Sequence, residues 1–347
     1  MRSKVFAITA PGKIEEFDKE VVAASGEVFL RPIFTGICQS DLYYFEGTRP
    51  PEVLKKAYPL SPFHEAVTEV LEQSGDPTGN FVVPIPNISC NKQSCPACRG
   101  DGCGSNYCLE TKFASSNADG FARTAFPYKI ENTVSVPKKV PLGEACLTEP
   151  ISVAVHTTEE AELKEGMRVC TIGDGPQGLI QSLVSKYRGI KKEDNTLLGF
   201  HNNKLVKATE YASVKDSRHV SEENQYDVVF ECVGSKKHAV AINHGVKLLK
   251  PGGLLVVMGQ SDDAQPIEFR PVLKKNITIR GLVRSRKEHF TKALEILSND
   301  FYKQQATGII GGTLSVTKKE DIEMAFKNRF EVGKTHLNWM PMYKISS

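Results

Sequence analysis

The 347-residue sequence lacks an apolar run long enough to span a bilayer, and its start, MRSKVFAITAPGKIEEF, lacks the apolar stretch and small-residue cleavage site of a secretory leader. A cytoplasmic protein without a membrane partner is the expectation. Charge of one sign is scarce as well. The 44 Lys and Arg against 41 Asp and Glu leave +3 at pH 7, too weak a bias to suggest nucleic acid as a partner. Internal repeats and low-complexity tracts are missing. Apolar residues make up 40% and charged residues 24%, the mixture of an ordinary globular protein, and the length suits two domains better than one. Cysteine, by contrast, is plentiful and clustered: five of the nine lie in CNKQSCPACRGDGCGSNYC, from Cys90 to Cys108. In a reducing compartment such a cluster points to metal rather than to disulfides, and an odd total cannot pair completely.

Residues 1–150 read as short strands broken by Pro, Gly and Asn, among them KVFAITA, EVFLRPIF, AVTEVLE, FVVPIPN and TVSVP, which predicts an irregular, mainly antiparallel domain. Beyond them apolar runs alternate with helical stretches: RVCTIG and GLIQSLVSKYRG, NTLLGF and KLVKATEYA, YDVVFECVG and HAVAINHGVKLL, then GGLLVVMG. That alternation implies a parallel, doubly wound sheet over residues 151–286. KEHFTKALEILSND has the period of an amphipathic helix and THLNWMPMY that of a strand, so residues 287–347 are expected to return to the first domain. The fold class is α/β with a second, β-rich domain.

Gly173, Gly175 and Gly178 form G-x-G-x-x-G between a predicted strand and a predicted helix. The first glycine permits a tight turn, the second lets a pyrophosphate approach the backbone, the third lets helix and strand pack, and the helix N-terminus favours phosphate charge. Pro176 and Gln177 within the turn, and Cys232 and Val233 in the run YDVVFECVG, join them as cofactor-binding candidates. NAD sites place an acid about twenty residues on, at the end of the second strand. Here that stretch is LLGFHNNK, and Gly199, Phe200, His201, Asn202 and Asn203 bring no carboxylate. His201 and Lys204, with Asn202 between them, suit a 2′-phosphate instead, so NADP is the expected cofactor.

TGICQSD holds Cys38, Ser40 and Asp41; SPFHEAVTEV holds His64 and Glu65; LTEPISVAVH holds Glu149. A thiolate, an imidazole and a carboxylate make a mixed donor set that suits zinc with one position open, the catalytic rather than the structural arrangement.

G-x-C-x-S-D, an H-E pair, a cysteine cluster and G-x-G-x-x-G in this order resemble the zinc-dependent medium-chain alcohol and polyol dehydrogenases over nearly the whole chain. The resemblance implies a GroES-like catalytic domain, a Rossmann domain and an active site in the cleft between them, with Cys38, His64, Glu65 and Glu149 around a catalytic zinc. EPISVAVH is similar to the polyol branch, in which a Glu replaces a second cysteine ligand. The cysteine stretch then corresponds to a lobe closed around a structural zinc. The family spacing C-x2-C-x2-C-x7-C gains two residues in its first and last gaps here. The contexts ISC and NYCL select Cys90, Cys95, Cys98 and Cys108 as ligands and leave Cys103 spare.

YYFEGTR, FECVGSKKHAVAINHGV, LVRSRKEHF and VGKTHLNW are similar to the ribitol-5-phosphate dehydrogenases, or ribulose-5-phosphate reductases, which use NADPH. Against that branch, the complete cysteine lobe is a departure that bears on the exact substrate. The resemblance implies reduction of a ketose at a zinc centre, with Ser40 passing a proton, Tyr43 in the place where relatives often carry a relay histidine, and Asp41 ordering the ligands. Arg49, Arg284 and Arg286 are candidates for a substrate phosphate. A small-molecule substrate and a homodimer, through the edge near NITIRG, or a homotetramer complete the expectation. Two alternatives are a hexitol, glucose or threonine dehydrogenase of the same scaffold and an idle structural relative, as some lens crystallins are.

Overall fold

Strands interrupted by Pro and Gly are too short to form a core alone and must pair across the chain. The computed structural model describes residues 1–100, 104–220, 223–234 and 237–340, in which two compact units form. One comprises Met1–Ser152, Arg284–Ser298 and Ile310–Ser347; the other comprises Val153–Val283 and Asn299–Ile309.

In the first unit a seven-stranded sheet runs in the order Ile310–Val316, Lys334–Trp339, Glu27–Gly36, Glu65–Leu71, Pro77–Pro84, Thr133–Ser135, with Phe126–Lys129 also paired to Glu27–Gly36. All pairings are antiparallel except the first. The hairpin Arg2–Ala10 and Lys13–Glu20 lies beside it and shares a core of Phe6, Ile8, Phe45, Phe63, Phe326, Leu337 and Trp339. Phe45 and Phe63 both stack on Phe326, with centroids 4.4 and 5.5 Å away. The tail strand is positioned by its partner: His336 stands opposite Gly36 and Leu337 opposite Thr35, and the Trp339 indole donates to Thr35 Oγ1 at 2.9 Å. This late strand carries Lys334 to the first strands of the sheet.

The second unit holds six parallel strands in the order Ser213–Asp216, Asn195–Gly199, Val169–Ile172, Tyr226–Glu231, Leu249–Val257, Thr278–Gly281. In chain order this is 3-2-1-4-5-6, so the order reverses beside Val169–Ile172, where open α/β sheets bind their ligands beyond the strand ends. The central strands are buried on both faces, which is why VCTI reads as an unbroken apolar run. Cys170, Ile172, Leu198, Val229, Val246 and Leu255 form its core. The helix Lys287–Leu297 belongs to the first unit, whereas Asp300–Ile309 groups with the parallel sheet, Tyr302 meeting Tyr187 edge-on at 5.3 Å. Among the described residues no helix is long and apolar enough to cross a membrane.

Candidate active site, metal lobe and cofactor turn

Cys38 precedes the helix Gln39–Phe45, and its amide donates to Asp41 Oδ2 at 3.0 Å. The other oxygen of Asp41 accepts from Phe63 N at 3.0 Å, so one carboxylate, 1% exposed, ties the Cys38 segment to the segment that carries His64. His64 Nδ1 lies 2.8 Å from Ser115 Oγ and 3.7 Å from Asp41 Oδ1. Phe63, which precedes His64, and Ser115, which meets its Nδ1, have φ of 75° and 61°. A left-handed backbone costs a non-glycine residue about 1–2 kcal/mol, a strain these hydrogen bonds hold in place.

Glu65 opens its strand opposite Gly36, where a Cβ would fall 2.3 Å from Glu65 Oε2; only glycine leaves room for that carboxylate. Lys334, itself buried, forms an ion pair with Glu65 Oε1 and donates to Ile37 O at 3.3 Å. Oε2 is buried without a hydrogen-bond partner. One ligand atom each of Cys38, His64 and Glu65 lies within 4.8 Å of the others. A thiol, an imidazole held through its Nδ1 and an orphaned carboxylate oxygen are a donor set that fits zinc.

Glu149 is outside this set of three but is buried and feels its charges. Burial pushes its carboxyl up to about 7, Glu65 and Asp41 add to the rise, and His64 and Lys334 oppose it. Burial disfavours the imidazolium form of His64, yet Asp41 and Cys38 outweigh it and raise that group well above the ordinary histidine value. Burial likewise works against the carboxylate of Asp41, but His64 and the two amides hold it below the usual range. Ser40 and Tyr43, half-buried, follow on the Gln39–Phe45 helix at i and i+3, so they share a face.

The thiols of Cys90, Cys95, Cys98 and Cys108 lie within 4.8 Å of one another. Cys90 and Cys98 sulfurs are 3.7 Å apart and those of Cys95 and Cys108 3.9 Å, far beyond a disulfide bond. Pro96–Arg99 makes one helical turn after Cys95, which places Cys98 beside Cys90, and ends at Gly100 with φ 92°. Cys103 lies outside the described residues. Four thiols leave no position for substrate and fit a closed zinc site.

In the second unit, Gly173 ends its strand with φ 122°, and a Cβ on Gly178 would fall 1.8 Å from Gly173 O, so turn and helix touch through bare backbone. Gly175 faces open space, and Pro176 starts the helix Pro176–Tyr187. That open cradle at a helix N-terminus fits a pyrophosphate. Cys232 packs its carbonyl near Gly173, while Val233 N donates to Glu231 Oε1 at 2.7 Å, which holds the loop after the neighbouring strand. Gln177 lies half-buried in the first turn of the helix, and Asn202 and Lys204 lie in the short helix Asn202–Leu205. His201 is exposed, with its Nδ1 3.0 Å from Asp174. The strand end that brings no acid of its own therefore has one beside it: Asp174, from within the glycine turn.

The three arginines have different surroundings. Arg49 stacks on Tyr43 and Tyr44, 5.2 and 5.4 Å from the ring centroids. Arg286 pairs with Glu288 at 2.7 Å. Arg284, with φ 64°, places its guanidinium 5.2 Å from the centre of Phe113, whose ring is 5.4 Å from that of His64. Sequence reasoning did not find Ser115, Lys334 or Asp174. Ser115 offered no signal; a lysine in the apolar strand KTHLNW and an acid inside the glycine turn were visible but had no assigned partner.

Residues 201–299 match the family model described as zinc-binding dehydrogenase. The chain is 28% identical to a ribulose-5-phosphate reductase of Bacillus spizizenii, covering 98% of this chain and 99% of that one. It is likewise 28% identical to ribulose-5-phosphate reductase 2 of Staphylococcus aureus, with the same coverage. Among solved structures it resembles S. aureus TarJ in complex with NADPH, with TM-score 0.80, 24% identity and coverage of 98% and 100%. It also resembles L-idonate 5-dehydrogenase of Escherichia coli, with TM-score 0.84, 19% identity and coverage of 97% and 98%. The resemblance to the zinc-dependent alcohol and polyol dehydrogenases, and within them to the ribulose-5-phosphate reductases, is borne out, as is the two-part fold class.

Proposed function

We propose that this chain is a zinc- and NADP(H)-dependent oxidoreductase that interconverts ribulose 5-phosphate and ribitol 5-phosphate. The observation that carries the reading is the Cys38–His64–Glu65 donor set, half-buried at Cys38 and buried at the other two, with its orphaned carboxylate oxygen, in one chain with an open glycine cradle. The reductases to which the chain is similar over its length support the substrate class. When bound, zinc supplies Lewis-acid polarisation of a substrate carbonyl or hydroxyl, and the nicotinamide supplies or accepts the hydride.

This chain's own residues do the rest. Cys38, His64 and Glu65 hold the ion, with Glu149 as the alternative carboxylate. Asp41 and Ser115 orient the imidazole, and Lys334 steadies Glu65. Ser40 passes a proton to the reduced oxygen, and Tyr43, on the same helix face, extends that path. Cys90, Cys95, Cys98 and Cys108 hold the structural ion. Gly173, Gly175, Pro176, Gln177 and Gly178 receive the pyrophosphate, Cys232 and Val233 border the nicotinamide end, and His201, Asn202 and Lys204 meet the adenosine end. Residues 1–150 and 287–347, apart from the helix Asp300–Ile309 that groups with the parallel sheet, serve catalysis and 151–286 the cofactor. Of the three arginines Arg284 is favoured for the substrate phosphate, because Phe113 links it to His64 whereas Arg286 is committed to Glu288 and Arg49 to two tyrosines. The protein works in the cytoplasm as a homodimer or homotetramer, and the exposed edge strand Thr278–Gly281 suits the contact.

A second reading, a dehydrogenase of unphosphorylated polyols, is favoured by the complete four-thiol lobe. A D-xylulose reductase A of Aspergillus oryzae is 26% identical, covering 87% of this chain and 85% of that one. Rates with phosphorylated and free pentuloses, each with NADPH and NADH, separate the two. Arg284→Ala is expected to lower kcat/KM for ribulose 5-phosphate about ten- to a hundredfold and to leave residual turnover of free ribulose nearly unchanged. Equal losses on both move Arg284 to a structural role, and wild-type preference for free polyols sinks the sugar-phosphate reading.

A further inference from the structure

The strand Asn195–Gly199 ends on glycine where NAD-preferring folds carry an acid, and the structure supplies the reason. A Cβ at Gly199 would stand 2.5 Å from both Cβ and Oδ2 of Asp174. Asp174 is the middle residue of the turn Gly173–Gly175, 9% exposed, and its side chain folds over the end of the second strand. Oδ2 accepts the amides of Phe200 at 2.7 Å and His201 at 2.8 Å. The His201 imidazole closes the cluster through Nδ1, 3.0 Å from Oδ2 and 3.2 Å from Oδ1.

The carboxylate is therefore at the place where an acid would meet a ribose, yet its oxygens are turned onto two amides and an imidazole. Charges around it favour an anionic ligand. Lys204 lies on the next helical turn. Arg218, held by Asp216 at 2.6 Å, reaches to 3.5 Å from Phe200 O, and Lys237 Nζ stands 5.9 Å from the Phe200 ring centroid. Asp174 and Asp216 are both engaged, and the His201 side chain is 55% exposed. With Nδ1 directed at Asp174, the remaining nitrogen, Nε2, lies on the outer side of the ring. The ring is thus held by Asp174 on one side and leaves Nε2 to meet a phosphate oxygen on the other.

We propose that Asp174 is a positioning residue for cofactor discrimination: it pins the His201 backbone and ring so that the outer nitrogen meets the 2′-phosphate of NADPH, and it does not itself bind the ribose hydroxyls. This rests on the NADP(H) reading above. An acid built at Gly199 would collide with Asp174 before it could repel a phosphate.

The test is direct calorimetric titration of the full-length protein with NADPH and NADH, and with adenosine 2′,5′-bisphosphate and 5′-AMP to isolate the adenosine end. Wild type, Asp174→Asn, His201→Ala and the double variant are compared. Each single change is expected to weaken NADPH and the bisphosphate about tenfold and to leave NADH and AMP within about twofold; the double variant should be no weaker than the singles, because the two residues act as one unit. Tighter NADPH binding in Asp174→Asn overturns the proposal by making the carboxylate a repulsive element. Equal weakening of NADH and NADPH overturns it in favour of a ribose or folding role. His201→Ala changes an exposed side chain, so it decides the matter even where Asp174→Asn folds poorly: unchanged NADPH affinity there is fatal. A wild-type protein without preference for NADPH fails the cofactor reading itself, whereas a preference that survives both changes fails only the role given to Asp174.

Discussion

Two metal-fitting clusters occur in the same unit and are built by opposite means. The Cys90–Cys108 lobe draws all four thiols from one short stretch, with one turn of helix and a left-handed glycine to gather them. The Cys38–His64–Glu65 centre draws on two separated parts of the chain, the Cys38 segment and the adjacent His64 and Glu65, and is braced by Asp41, Ser115 and Lys334 before any ion is counted. In the lobe an ion would supply the order that a small core cannot. In the centre, order is already provided by hydrogen bonds and an ion pair, so a metal there can serve a reaction. A preorganised donor set is what catalysis needs, because the geometry is then not remade at each turnover.

The comparison is sharpened most by removing a ligand from the centre. Cys38→Ala should lower kcat at least a thousandfold, on the order of 4 kcal/mol or more of lost transition-state stabilisation, while the melting temperature stays within a few degrees. Metal analysis should find about one zinc per chain in place of about two. A variant that turns over normally would end the distinction between the clusters, since neither would then serve the reaction.

Lys334→Met tests whether the bracing comes before the metal. Breaking a buried ion pair from one side leaves an uncompensated charge, so the metal-free protein should lose about 3 kcal/mol in denaturant unfolding. The same change in zinc-loaded protein should cost less, because the ion can take over as the partner of Glu65. Identical losses with and without zinc would mean that Glu65 and the ion do not meet.

Cys95→Ser should have the smallest effect on chemistry. Zinc content should fall by about one per chain and proteolytic cleavage should appear within residues 90–108, with kcat reduced by less than about tenfold. Unchanged zinc content would remove the lobe from the metal sites. A loss of turnover as deep as that of Cys38→Ala would make the two clusters one functional unit.

Legibility followed the distance along the chain over which each feature is built. The period of the strands and helices, the glycine turn and the thiol spacing are local, and each leaves its mark within about twenty residues. Cys38 and His64 were legible because each lies in a short motif with recognisable neighbours. Their supports were not: Ser115 reaches His64 across 51 positions and Lys334 reaches Glu65 across 269. Nothing at either end of such a pair announces the other.

The sequence by itself determined that a parallel sheet carries a tight glycine turn and that a thiol, an imidazole and carboxylates were available to a metal, because glycine's freedom and ligand chemistry belong to residue types. Only the tertiary structure decided that Glu65, opposite a glycine and paired with a lysine from the last strand, joins Cys38 and His64 while Glu149 stays outside the set. It also decided that Asp174, from within the glycine turn, stands against position 199 with its carboxylate on the amides of Phe200 and His201. The physical reason is the same in both cases: a side chain's charge acts through space over a few ångströms, and sheet pairing and turn packing, not order along the chain, set which groups come that close.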